Sequence, residues 1–203
     1  MKKILVSSNL CFDSYENINM DVKKDLNNYL ITNGYFPIYY YSNKINYKFL
    51  SKCDGLILSG SGNINLIEKK KLNFLRDKFE LKLFKYFKKR KKPILAICRG
   101  FQLISSYQKA KILKVKNHVR TNHHIYFDRK IENLKKKLIV NSYHDYGIKN
   151  INLKNYNLVA RCKNDFIELA YNKKYNFLGL MFHPERYNIS QITINKTIKK
   201  FFK

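Results

Sequence analysis

The chain has 203 residues, enough for one domain with a substantial core, and its 45 % hydrophobic and 15 % aromatic content excludes a disordered tail. No window is long and apolar enough to read as a membrane span. The formal net charge is +27. The lysines are spread over nearly every segment, and Lys, Asn, Ile and Tyr are enriched together. The charge therefore reads as the bias of an AT-rich genome rather than as a nucleic-acid footprint, and it also suits anionic substrates.

Cys11, Cys53, Cys98 and Cys162 lack paired spacing, so reduced thiols and a cytoplasmic location are expected. The apolar run after Met1 stops at Ser7-Ser8-Asn9, too early for a secretion signal. In chain order, Ile4–Val6 predicts a first strand, Cys11–Asn19 a polar loop, and Met20–Asn33 a helix closed by Asn33-Gly34. Phe36–Tyr41 predicts a second strand with Pro37 near its start. Asn43–Cys53 is a connection with a helical turn, followed by a buried strand over Asp54–Leu58 and a glycine-bearing loop over Ser59–Asn63. Glu68–Lys92 predicts a long basic helix with Leu72, Leu75, Phe79, Leu83 and Phe87 on its apolar stripe. Ile94–Ile97 is a short apolar run that predicts a buried parallel strand. After Gly100 come short strand candidates at Ile125–Phe127, Leu138–Asn141, Leu158–Arg161, Ile167–Tyr171 and Phe177–Phe182, then a terminal helix over Asn188–Lys203. Strands alternating with helices predict an α/β fold with a mostly parallel sheet, in one domain over 1–203.

Cys98 stands between the Ile94–Ile97 strand and a helix marked by Phe101, Leu103 and Ile104. Ala96 and Gly100 occupy the two positions where a nucleophile elbow needs small residues. A helix N-terminus offers free N–H groups and partial positive charge, which favour a thiolate. A thiolate nucleophile needs a base and a group to orient the base. His183-Pro184-Glu185 supplies both, and in extended backbone the two side chains face the same way. The backbone N–H of Arg99 is one expected oxyanion donor, and the Gly60-Ser61-Gly62 loop is the expected source of the second. His118, His123 and His124 fit no structural zinc spacing, so neither a metal nor an organic cofactor is expected.

Together Cys98-Arg99-Gly100-Phe101-Gln102, His183-Pro184-Glu185 and the glycine loop after Leu58 resemble the class I glutamine amidotransferase fold, in its γ-glutamyl hydrolase branch. Arg76-Asp77-x-x-Glu80, Asn117-His118-Val119-Arg120-Thr121 and Asn141-Ser142-Tyr143-His144 also look like segments of that branch, and the likeness runs from Ile4 to about Arg186. The resemblance implies a three-layer, flavodoxin-like sandwich and a Cys98–His183–Glu185 triad that cleaves γ-glutamyl amides. It implies that Gln102, Ser142, Tyr143 and His144 contact the glutamyl group and that Glu80 lies near the site. Arg99, Arg120 and Arg186 are candidates for a pyrophosphate. The expected substrate is a small γ-glutamyl conjugate whose leaving group carries a nucleotide phosphoramidate, as in capsule decoration. The alternatives are a glutaminase subunit that passes ammonia to a synthase partner, and a nucleic-acid-binding module; a homodimer is also open. Two departures from the branch stand out: Ala96 where glycine is common, and Gly60-Ser61-Gly62 where a Gly-Gly pair is usual.

Overall fold

A computed structural model describes residues 1–42, 44–128 and 137–203. Strand β1 (Lys2–Ser7) leads into a hairpin of β2 (Asn9–Phe12) and β3 (Ile18–Asp21). Helix α1 (Lys24–Thr32) ends at Asn33-Gly34, where Gly34 at φ +84° donates its N–H to the Ile31 carbonyl. Then follow β4 (Tyr35–Tyr39), the short α2 (Tyr47–Ser51), β5 (Gly55–Leu58), the long α3 (Lys71–Lys89), β6 (Ile94–Ile97) and α4 (Arg99–Tyr107). The second half holds β7 (Lys111–Lys114), β8 (Val119–Phe127), β9 (Lys137–Tyr143), β10 (Tyr146–Lys149), β11 (Leu158–Cys162), β12 (Ile167–Asn172), β13 (Phe177–Leu180) and α5 (Gln191–Phe201).

Among the described residues one sheet of eleven strands runs β4-β1-β5-β6-β13-β12-β11-β8-β9, with β10 joining β12 to β7. The expected parallel sheet is formed by β4, β1, β5, β6 and β13. From β13 onward the pairings are antiparallel. Pro37 lies on β4, an edge of the sheet, where the missing N–H does not interrupt a ladder on both sides.

Alternation along the parallel strands divides the core into two layers. Leu5, Leu56, Leu58, Ile94 and Ala96 face α3 and α4, where Phe79, Leu83, Phe84, Phe87, Phe101 and Ile104 complete one cluster. Ile4, Val6, Ile57, Leu95 and Ile97 face the opposite way, onto Leu26 and Leu30 of α1 and Ile194 and Ile198 of α5. The sheet therefore carries helices on both sides, the three-layer arrangement expected of a parallel sheet buried on each face.

Several boundaries differ from those read in the sequence. The stretch expected to be a polar loop at Cys11–Asn19 is mostly the β2–β3 hairpin, whose turn is organised by Asp13. The Asp13 carboxylate accepts from the backbone N–H groups of Tyr15 and Asn17 and from the side chains of Asn17 and Asn19. Because Met20 belongs to β3, α1 begins at Lys24 rather than Met20. The connection expected from Asn43 does contain a helical turn, α2, although Asn43 itself lies outside the described residues. On α3 the stripe holds for Phe79, Leu83 and Phe87, but Leu72 and Leu75 are only half-buried while Arg76 and Glu80 are fully enclosed. No helix among the described residues is long and apolar enough to cross a membrane.

Candidate active site

Cys98 sits between β6 and α4 with φ 47° and ψ −102°, a backbone conformation that L-residues other than glycine rarely adopt. It is held there from both sides: its N–H donates to the Leu180 carbonyl on β13 at 2.6 Å, and its own carbonyl accepts from Gln102 at 2.9 Å. Gly100 is required by space, since a Cβ there would lie 2.4 Å from the Leu58 carbonyl oxygen. The expected elbow is thus present in the backbone itself, and α4 opens on the residue after the thiol.

His183 reaches the same place from β13, the neighbour of β6 in the sheet. His183 and Glu185 lie on a turn beyond the strand end at Leu180, not on extended backbone as the sequence suggested. Asn141 fixes that turn: its Oδ1 accepts from the His183 N–H and its Nδ2 donates to the His183 carbonyl, both at 2.8 Å. Asn188 adds a bond of 3.0 Å to the same carbonyl and one of 2.8 Å to that of Arg186. His183 Nδ1 donates to Glu185 Oε1 at 2.6 Å, which leaves Nε2 for the Cys98 sulfur. Burial opposes a charged imidazole here, but the Glu185 carboxylate, with the hydrogen bonds to Cys98 and Glu185, overcomes it and lifts the pKa to about 10.

That shift has a measurable consequence. A histidine raised from 6.5 to about 10 contributes stability that is fully present below about pH 6.5 and is lost as pH rises through about 10. Glu185→Gln is expected to move the titration of the His183 Cε1–H resonance down towards 6.5 and to bring the alkaline limit of stability down with it. An unmoved resonance would mean that Glu185 does not set the charge of this ring.

The Gly60-Ser61-Gly62 loop, after β5, packs against the imidazole. A Cβ on Gly60 would fall 2.6 Å from His183 Cε1, so only glycine lets the ring lie where it does. Arg76 reaches the loop from α3. Its guanidinium donates to the carbonyls of Ser59 at 3.0 Å, Gly60 at 3.2 Å and Ser61 at 2.9 Å. In a trans peptide the N–H points opposite to the C=O, so the amides of Gly60, Ser61 and Gly62 are turned away from Arg76. Among the described residues none of these three amides has a partner in the protein. Ser61 lies at φ 76°, so a backbone position suited to glycine is filled here by serine.

Comparison with known proteins places the whole chain, rather than these individual residues, in a family. A family model for peptidase C26 covers residues 22–185. The chain belongs to the peptidase C26 family. It is 32 % identical over 186 residues to the γ-glutamyl-CDP-amidate hydrolase of Campylobacter jejuni subsp. jejuni serotype O:2, covering 88 % of this chain and 87 % of that one. Among solved structures, a Thermoplasma acidophilum protein described as one component of a GMP synthase superposes with a TM-score of 0.71 at 22 % identity, over 100 % of this chain and 92 % of its own. A glutamine amidotransferase from Thermotoga maritima gives 0.61 at 18 % identity, over 98 % and 85 %. These two structures speak to the fold, which is that of the class I glutamine amidotransferases.

The other site residues expected of a C26 chain fall into two groups. Tyr143 flanks the imidazole, its ring edge-on to His183 with centroids 5.8 Å apart, and the Arg186 guanidinium lies over the Tyr143 ring at 4.1 Å. Gln102, one turn into α4, donates to the Tyr146 carbonyl at 2.8 Å. Ser142 and His144 are buried, the Ser142 hydroxyl donating to the His118 carbonyl and His144 facing Glu168. Arg120 is exposed at an irregularity of β8. Glu80 and the Arg99 side chain are not free to touch a ligand. Glu80 pairs with Arg76 at 2.8 Å and with Arg99, accepts from the Ser7 hydroxyl at 2.8 Å, and is fully buried; Arg99 also pairs with Asp77. Burial works against the Glu80 charge, yet the two guanidiniums hold its pKa below the usual carboxylate value. Arg76, wholly enclosed, is lowered to about 10, chiefly by burial. Arg76 and Asn141, legible in the sequence only as members of motifs, and Asn188, which no motif includes, prove to be supporting residues that carry no reacting group of their own.

Proposed function

We propose that the chain hydrolyses a γ-glutamyl amide through a thioester on Cys98. The observation that carries this reading is the His183–Glu185 pair turned onto an elbow cysteine. The Cys98 thiolate attacks the γ-carbonyl carbon, and the carbonyl oxygen, now negative, is received by the Arg99 N–H and the outward amides of the Gly60–Gly62 loop. As the tetrahedral intermediate collapses, the C–N bond breaks and His183 gives its Nε2 proton to the leaving nitrogen. A water then loses a proton to His183 and attacks the thioester; the C–S bond breaks, releasing glutamate and restoring the thiol.

The leaving group we propose is a nucleotide phosphoramidate, because the named relative at 32 % identity is a γ-glutamyl-CDP-amidate hydrolase. Of the three arginines expected to meet a pyrophosphate, Arg99 is enclosed by acids and Arg120 lies on β8 away from the described contacts of His183. Arg186 alone of these three stacks on a residue that touches the imidazole. The test is glutamate release by the purified chain from γ-glutamyl-CDP-amidate and, separately, from glutamine. Turnover of the former without any partner is expected; cleavage of glutamine only when a synthase is added would replace this reading with that of a glutaminase subunit. Arg186→Ala is expected to raise KM for γ-glutamyl-CDP-amidate about tenfold or more, as for loss of one charge-assisted contact, and to leave KM for glutamine nearly unchanged.

A further inference from the structure

Three imidazoles that the hydrolysis does not use converge on one carboxylate. Glu168 of β12 is fully buried, and His118, His123 and His144 surround it, from just before β8, from within β8 and from the turn between β9 and β10. His118 Nε2 lies 3.8 Å from Glu168 Oε1; His123 Nε2 and His144 Nε2 lie 3.5 and 3.6 Å from Oε2. Among the described residues none of these three nitrogens and neither carboxylate oxygen has a hydrogen-bond partner.

The second nitrogens of two of the rings say which way the protons point. His118 Nδ1 is 2.9 Å from the Lys116 carbonyl, and His144 Nδ1 is 3.1 Å from the Tyr146 carbonyl. A carbonyl only accepts, so each Nδ1 carries the hydrogen, and each neutral ring presents a lone pair at Nε2. The lone pairs of His118 and His144 then face a carboxylate in a dry interior, acceptor against acceptor, while His123, with neither ring nitrogen partnered, is held by no backbone carbonyl. Charging all the rings would cure the contact only by burying more positive charge in a chain already at +27. A cation placed among His118, His123 and Glu168 relieves that opposition.

The spacing suits that cation. Zinc bonds of about 2.0–2.1 Å in a tetrahedron put neighbouring donors about 3.3–3.4 Å apart, longer than a good hydrogen bond and close to what is seen here. An imidazole whose other N–H is fixed by a backbone carbonyl is the usual outer shell of a ligating histidine. Donor atoms of His118, His123 and Glu168 all lie within 4.8 Å of one another. We propose that His118, His123 and Glu168 bind a divalent transition metal, zinc foremost, with water as the fourth ligand and His144 Nε2 beside the carboxylate at 3.6 Å. The sequence expectation of no metal rested on the local spacing of His118, His123 and His124. The fold instead recruits Glu168 from further along the chain, with His144 beside it, and turns His124 onto Tyr126, with ring centroids 6.1 Å apart. The ion would pin β8 to β12 beside the β9–β10 turn, whose His144 follows Asn141, the residue that grips the His183 turn, by three positions. It takes no part in bond making at Cys98.

The experiment uses the full chain without an affinity tag, stripped with a chelator and then titrated with Zn²⁺ in competition with a chromophoric chelator. One ion per chain and a Tm that rises with zinc are expected. Co²⁺ in its place should give the intense visible absorption of a four-coordinate site. Glu168→Gln should weaken zinc binding by more than about 100-fold, beyond what loss of an outer-shell partner does. Should that variant fail to fold, His123→Gln, at a less enclosed position, is read in the same way. Absence of stoichiometric binding by the folded wild-type chain overturns the proposal, as does undiminished binding by a folded variant. So does a chain whose histidine resonances titrate unchanged with and without zinc.

Discussion

Glu80→Ala is expected to be the most destabilising single change in the active-site region, about 3–5 kcal/mol from the removal of one partner in a buried ion-pair group. Against the roughly 5–15 kcal/mol that holds most domains together, that leaves a marginal or unfolded chain. The reason is arithmetic of charge: Glu80 is the carboxylate that Arg76 and Arg99 share, and both guanidiniums are buried with it. Burial pushes the Asp77 carboxyl up, although Arg99 opposes this, so Asp77 is a poor substitute for the missing charge. Urea titration followed by circular dichroism measures the loss; a midpoint within error of the wild type would show the group to be dispensable. A second variant separates stability from positioning. Replacing Arg76, Glu80 and Arg99 together by apolar residues of similar volume, with Asp77→Asn to keep the bond from the Asn65 N–H, removes the charges as a set, which folded proteins commonly tolerate. That chain should fold and yet hydrolyse poorly, because nothing then holds the Ser59, Gly60 and Ser61 carbonyls back from the site.

The second large effect is at the thiol. Cys98→Ala and Cys98→Gly should each lower glutamate release by at least about 10⁴-fold, as expected when the nucleophile of a covalent mechanism is removed. The two variants should differ in stability. With φ at 47°, alanine inherits the strain of the elbow and glycine does not, so the glycine variant should be the more stable of the pair by about 1 kcal/mol. Residual activity near that of the wild type in either variant would remove Cys98 from the mechanism. Equal stability of the two would show that the elbow stores no strain.

The parts of the fold and site that could be read from the sequence are those written in local patterns. Ile94–Ile97 is a continuous apolar run and proves to be β6, and Asn33-Gly34 closes α1 because the chain there needs a left-handed residue. Cys98 with its two small neighbours, and His183-Pro184-Glu185, are short strings whose residue types already imply their chemistry. What escaped depends on partners distant in sequence. The Arg76-Asp77-x-x-Glu80 segment is legible as a motif that brings Glu80 near the site, but nothing local announces that Arg99, Ser7 and the carbonyls after Leu58 will enclose its two ends. Lys111–Lys114 and Tyr146–Lys149 are too short and polar to declare themselves as strands; they become β7 and β10 by pairing with each other. Glu168 sits in an apolar strand pattern, and only the assembled sheet shows three imidazoles arriving around it.

Ile97 and Leu180, the residues just before the elbow and at the end of β13, are paired across neighbouring parallel strands. The approach of imidazole to sulfur therefore starts from inter-strand spacing, about 4.8 Å in any sheet, and is completed by the short turn that Asn141 clasps rather than by a long loop. The antiparallel extension that begins at β12 can then diverge, lengthen or be exchanged between relatives without disturbing that interval. Re-engineering which amide such a protein accepts becomes a matter of grafting β7 to β10 onto an unaltered chemical engine, provided Asn141 is carried along to clasp the histidine turn.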